Sequence, residues 1–164
     1  MRLIAVPSLK SVPTEAWDRL GDPNYPFMEY AFLRGLEESG TVGRGTGWIP
    51  FYLLATSDFD TEAHRAAVSA DDADQLNEAD EVGSSAFPEG VELLGAAAAY
   101  IKTDSYGEFI FDWSWASFFH RSGVAYYPKL VVAAPFTPAT GPRILLAPEL
   151  DGDPRAVVTR MLAE

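Results

Sequence analysis

Apolar residues recur along this chain in short blocks whose period switches between that of strands and that of helices. The opening Met1-Arg2-Leu3-Ile4-Ala5-Val6 is apolar with one charge and reads as a first strand rather than a signal peptide. Val12–Gly21 predicts a short helix, with Pro13 early and Gly21 just past the end. Phe27–Ser39 predicts a second, because Met28, Phe32, Leu33 and Leu36 fall at helical spacing and Gly40 is a natural stop. A glycine-rich loop, 41–47, leads into a β-prone run from Trp48 to Ala55. Ser57–Gly90 is rich in Asp, Glu, Ala and Ser and reads as an exposed, mobile, acidic insertion. Val91–Lys102 resumes as a strand whose small residues, Gly95 to Ala99, permit close packing by a neighbour. Further strands are expected at Tyr106–Asp112, Lys129–Phe136 and Arg143–Ala147. A short helix is expected at Trp113–Arg121, ended by Ser122-Gly123. A last helix opens with Asp153 as N-cap and Pro154 as its first residue, and carries Val157, Val158, Met161 and Leu162 on one face. There is no internal repeat, and the mixture predicts an α/β or α+β sheet with helices on its faces.

Composition narrows the functional classes. A chain of 164 residues that is 48% hydrophobic fits one domain with a real core. The absence of cysteine excludes disulfides, thiolate nucleophiles and cysteine-based zinc sites. With 24 acidic residues against 12 basic ones, nonspecific nucleic-acid binding and attraction to an anionic membrane are both disfavoured. No apolar run approaches the ~20 residues that span a bilayer. A cytoplasmic location is the default expectation.

The segment from Lys102 to Trp115 is densest in chemistry. As a strand, it would put Tyr106, Glu108, Ile110 and Asp112 on one face and Phe109, Phe111 and Trp113 on the other. Carboxylates beside aromatic rings can act as general bases, which makes Glu108 a candidate, with structural ion pairing as the alternative. Asp112 either contacts substrate or serves only as N-cap of the following helix. Ser117 and His120 are three residues apart, but neither a carboxylate orienter nor an oxyanion hole is marked for a nucleophilic pair. No cluster has metal-ligand spacing, and no run has that of a phosphate loop. Tyr126-Tyr127-Pro128-Lys129 sets two rings and a cation at the mouth of a strand, suited to stacking on a substrate and binding an anion or, equally, a solvated strand end. The stiff turn Pro135–Pro142 would present Arg143, either for anion binding or as a brace.

These blocks carry a family resemblance. Tyr-Ile-Lys-Thr-Asp-Ser-Tyr-Gly-Glu-Phe-Ile-Phe-Asp-Trp-Ser-Trp at 100–115, Tyr-Tyr-Pro-Lys-Leu at 126–130 and Pro-Phe-Thr-Pro-Ala-Thr-Gly-Pro-Arg at 135–143 resemble the signature blocks of bacterial FemAB-like proteins. Phe-Leu-Arg-Gly-Leu-Glu-Glu-Ser-Gly at 32–40 is similar to that family's early helix. The resemblance implies a single GNAT-like module over 1–164: a mixed, mostly antiparallel sheet flanked by helices, of the acyl-CoA N-acyltransferase kind. It implies transfer of an acyl or aminoacyl group to an amine, with a cell-wall precursor as acceptor. Acyl-CoA or aminoacyl-tRNA would serve as co-substrate and no cofactor would be held tightly. Glu108 would be the base, and Lys102, Tyr106, Asp112, Tyr127, Lys129 and Arg143 would line the substrate surface. Relatives continue into a second such module, so a second module or self-association is the expected partner. Three departures from the expected pattern stand out: the sequence stops at Glu164, where relatives continue into the second module, Asp104 occupies the place of an expected histidine, and the Arg/Gln-x-x-Gly-x-Gly loop that holds coenzyme A is lacking. The expectation is therefore half of a substrate site, or else a noncatalytic binding or assembly module.

Overall fold

A computed structural model describes residues 1–22, 24–57, 87–88, 90–108 and 111–163. Its elements are β1 (Arg2–Val6), α1 (Thr14–Asp18), α2 (Tyr30–Glu38), β2 (Trp48–Pro50), β3 (Tyr52–Thr56), β4 (Leu93–Ala97), β5 (Ala99–Lys102), α3 (Trp113–Arg121), β6 (Lys129–Val132), β7 (Ile144–Leu146) and α4 (Gly152–Ala163). All strand pairings are antiparallel, in one sheet ordered β1-β3-β4-β7 and another ordered β2-β5-β6. The fold is thus mixed α and β, as expected.

The two sheets are halves of one bent ribbon. Trp48 opposes Lys102 and Pro50 opposes Tyr100; beyond the junction Leu53 opposes Ala97 and Ala55 opposes Gly95, so the register does not slip where one sheet becomes the other. The Phe51 N–H donates to the Ala99 carbonyl at 2.8 Å and bridges the break. The strands expected at 48–55 and 91–102 are therefore present, each divided at the bend. The register first shifts between Ala55 and Thr56, at the far end.

Strand periodicity assigns the two faces of the ribbon. Trp48, Tyr52, Leu54, Ala96, Ala98 and Tyr100 point into the main core, where they meet Trp17, Met28 and Leu33 from the amino-terminal helical turns. The Trp17 indole donates to the Met28 carbonyl at 2.8 Å, so this large ring is buried without an orphaned donor. Glu37 ties α2 to the first turn by accepting from the Leu9 N–H at 3.0 Å and from the Ser8 hydroxyl, while Arg34 pairs with it at 2.7 Å. On the opposite face, Ala55, Leu94 and Ala97 form a smaller core with Val158 and Leu162 of α4. Of the residues expected on that helix face, Val158 and Leu162 are buried, whereas Val157 is exposed.

Two expectations need correction. Of the strand expected at Tyr106–Asp112, the described residues show none: 103–108 turns sharply, Gly107 has φ +73°, and Phe109 and Ile110 lie outside the described residues. A glycine in the left-handed region ends the extended conformation that the alternating pattern suggested. The last helix begins at Gly152 rather than after an Asp153 cap, and the Gly152 N–H donates to the Asp151 carboxylate at 2.8 Å. The insertion expected at 57–90 falls almost wholly outside the described residues.

Close approach of α4 depends on Gly95. A Cβ there would lie 2.6 Å from Val158 Cγ1 and 3.1 Å from the Leu145 carbonyl oxygen. Gly95→Ala should lower stability by about 1–3 kcal/mol, because overpacking has no free volume to relax into. Gly35→Ala, with nothing within 4 Å on the exposed side of α2, should raise it by roughly 0.5–1 kcal/mol. Urea unfolding of both variants checks the pair; equal effects would contradict this packing.

Candidate functional site

The site assembles where the turn after β5 folds back onto the start of β6. Lys102, the last residue of β5, is fully buried. Its ammonium donates to the Tyr106 carbonyl at 2.7 Å and lies 4.2 Å from the centre of the Trp48 ring, whose indole N–H donates to the same carbonyl at 3.0 Å. The Asp104 carboxylate is 3.9 Å from that ammonium and accepts from the Tyr106 N–H at 2.8 Å. Burial lowers the Lys102 pKa, and the charges of Asp104 and Glu108 offset only part of that effect. Phe136, itself at φ +59°, packs its ring against Gly107 and Trp48, where a Cβ on Gly107 would approach Phe136 Cε1 to 2.5 Å. The turn is thus clamped by a buried charge below and two rings beside it.

That clamp presents Ser105 and Glu108 to the two residues that flank α3 and β6. Asp112 Oδ1 accepts from the Tyr127 hydroxyl at 2.6 Å and from Ser105 Oγ, while Oδ2 accepts from Lys129. Glu108 Oε1 is 3.2 Å from the same ammonium. The Lys129 Nζ also stands 4.8 Å from the centre of the Tyr126 ring and 5.4 Å from that of Tyr127. Both carboxylate side chains are only 13% exposed and Lys129 is 25% exposed, so this ensemble sits at a half-buried surface. The Tyr127–Pro128 peptide bond is cis.

Electrostatics follow from the geometry. Burial raises the Asp112 carboxyl, but hydrogen bonds from Lys129, Ser105 and Tyr127 outweigh it and hold the pKa well below the ordinary carboxylate range. Burial lowers Lys129, and its bonds to Asp112 and Glu108 outweigh that and hold it above the ordinary lysine value. Burial and the bond to Asp112 push Tyr127 up to about 12, so it stays a neutral donor. Two carboxylates share one ammonium, which leaves a net negative charge at the half-buried mouth.

The expected site residues divide into groups. Glu108, Asp112, Tyr127 and Lys129 converge. Asp112 does stand at the N-cap position of α3, but its carboxylate makes no capping bond and is committed to Lys129, Ser105 and Tyr127. Lys102 lies beneath the turn, and Tyr106 offers its backbone to the clamp while its ring is exposed. Arg143 is held elsewhere: its guanidinium donates to the Ala139 carbonyl and the Tyr25 hydroxyl, each at 2.6 Å. Ser105 and Trp48 were not anticipated, since both matter only once the turn at Gly107 is recognised. Among the described residues, no hydrogen bond joins Ser117 to His120, and no group of three or more acidic or histidine side chains could hold a metal ion. No helix among them is long and apolar enough to cross a membrane.

The family model of FemAB-like proteins, described as peptidoglycan biosynthesis/recognition, matches residues 8–164. The chain belongs to that family. No curated protein and no solved structure matches it.

Because the Asp112 pKa is depressed in the folded state, its contribution to stability is complete above the ordinary carboxyl value of ~3.9 and is lost as pH falls below that. Asp112→Asn should therefore cost about 1–3 kcal/mol at pH 7. The gap to the parent should narrow between pH 5 and pH 3 and stay constant from pH 6 to pH 8. Denaturant melts across that range check this; a gap unchanged down to pH 3 would contradict the assigned pairing.

Proposed function

We propose that this chain is a GNAT-like acyltransferase module that presents the amine acceptor, part of a cell-wall precursor, for acyl or aminoacyl transfer. The observation that carries the reading is that Glu108 and Asp112 share the single ammonium of Lys129. Asp112 is engaged through both oxygens, whereas Glu108 stands 3.2 Å from Lys129 at a mouth that carries excess negative charge. A substrate ammonium is attracted to that charge. The bound ammonium first releases one proton to solvent; the neutral amine nitrogen then bonds to the acyl carbon, Glu108 accepts the second proton that the nitrogen releases, and the carrier departs with the electrons of the broken acyl bond. The exposed ring of Tyr106 and the ring of Tyr127 flank the acceptor. The donor, acyl-CoA or aminoacyl-tRNA, is a co-substrate rather than a resident group. Membership of a peptidoglycan biosynthesis/recognition family supports the choice of acceptor.

A second reading is favoured by the same ion pair. Lys129 holds Asp112 in its charged form, and a charged pair committed to itself suits a noncatalytic recognition module. Calorimetric titration with a peptidoglycan stem peptide bearing a free amine tests what the two readings share. Binding should weaken about five- to tenfold in Glu108→Gln, equivalent to ~1–1.4 kcal/mol, and should vanish when the amine is acetylated. Equal binding of free and acetylated peptide would overturn the amine-acceptor reading. Transfer from a supplied acyl donor then separates enzyme from binder.

A further inference from the structure

The bent ribbon is covered unevenly. On the face opposite the main core, the half built from β3, β4 and β7 is roofed by α4 through Val158 and Leu162. On the other half the same face continues through Ile49, Phe51, Ile101, Leu130 and Val132. The register sets Ile49, Ile101 and Leu130 in one row across three strands, so their side chains share a side. None of the five belongs to either core cluster. Ile49, Phe51 and Ile101 are half-buried, while Leu130 is 54% exposed. No helix covers them among the described residues.

The chain also carries a helix that lacks a sheet. Helix α3, Trp-Ser-Trp-Ala-Ser-Phe-Phe-His-Arg, has no buried residue. It touches the body through Phe119, whose ring lies 5.3 Å from that of Tyr126. Trp115 and Phe118, three apart and so on one helical face, are 63% and 53% exposed. A helix this apolar is normally roofed or roofing. Of the twelve large hydrophobic residues exposed among the described ones, nine lie between Tyr106 and Phe136. The exposed apolar surface is therefore concentrated here rather than scattered, as on a surface that has a partner.

We infer that two copies of this chain associate reciprocally, with α3 of each copy seated on the uncovered β2-β5-β6 face of the other, as α4 sits on the adjoining half. The occupant is a second copy because one molecule displays both complementary parts, and a two-fold arrangement uses each part once on each copy. Charge agrees. The chain carries a net charge of −12, and copies repel over most of their surface. The sheet face has no charged residue, and α3 has no acidic residue and ends in His120 and Arg121. The repulsion is thus lowest where the apolar surfaces lie. Asp112 immediately precedes α3 and Lys129 begins β6, so the contacts would frame the candidate site on two sides.

Sedimentation equilibrium of the chain from about 1 to 100 μM tests the association. The expected result is a reversible dimer that tightens with added salt, since salt screens like-charge repulsion. Leu130→Asp and the double variant Trp115→Ser/Phe118→Ser should each raise the dissociation constant at least tenfold, while circular dichroism and the melting temperature match the parent's at concentrations too low for the parent to dimerise, because these side chains are exposed in the single copy. Mixing the two variants should partly restore association, as one helix-on-sheet contact of the two is then intact. A monomer throughout the range, a dimer indifferent to both variants, or a mixture no better than either variant alone would each overturn the proposal.

Discussion

The ion pair between Asp112 and Lys129 is the constraint on which the functional half of the molecule depends. One residue immediately precedes α3 and the other begins β6, so the pair joins the two ends of the segment made by that helix and the loop after it. Breaking it would leave a carboxylate and an ammonium, both largely withdrawn from water, without their principal partners. Such a loss costs more than an exposed pair is worth. Ser105 and Tyr127 donate to the same carboxylate and add direction to charge. Thus the turn after β5, the amino end of α3 and the start of β6 are fixed by one set of bonds.

That set would be useless on a soft support, and the ribbon makes it stiff. The register runs unbroken from Trp48 and Lys102 at one end to Ala55 and Gly95 at the other. Trp48 and Lys102, opposite one another, both donate to the Tyr106 carbonyl. The end of the sheet therefore reaches directly into the turn that presents Glu108. Burying an ammonium beside a ring and a carbonyl, with its nearest carboxylate at 3.9 Å, is a costly arrangement. It stands where the turn must be held most firmly.

Much of this was legible in the sequence, and the rest failed for identifiable reasons. Helices reported by local apolar spacing and glycine stops, such as Tyr30–Glu38 before Gly40 and Trp113–Arg121 before Gly123, lie where expected. The sequence reading put Glu108, Asp112, Tyr127 and Lys129 on one substrate surface together with Lys102, Tyr106 and Arg143, and only the first four come together. Alternation over 106–112 suggested one face of a strand, whereas a turn brings the carboxylates together. Gly107 was the available warning, since a glycine inside a strand pattern often marks a break. Asp112 could be read locally as a helix cap, because nothing nearby reveals that its ammonium partner lies seventeen residues on. Arg143 illustrates the converse: a stiff loop was expected to offer it to a ligand, yet the loop's own carbonyls take its donors. Long-range pairing is a property of the sheet register, which a single sequence does not display.

The most direct test of this account is a double-mutant cycle on the pair, using Asp112→Asn, Lys129→Met and the combined variant in denaturant unfolding at pH 7. Strong coupling is expected: the double variant should be more stable than the sum of the single losses implies by about 1.5–3 kcal/mol, since each single change strands a half-buried partner. Additive effects within about 0.5 kcal/mol would contradict it, and would mean that the two side chains do not hold the site together.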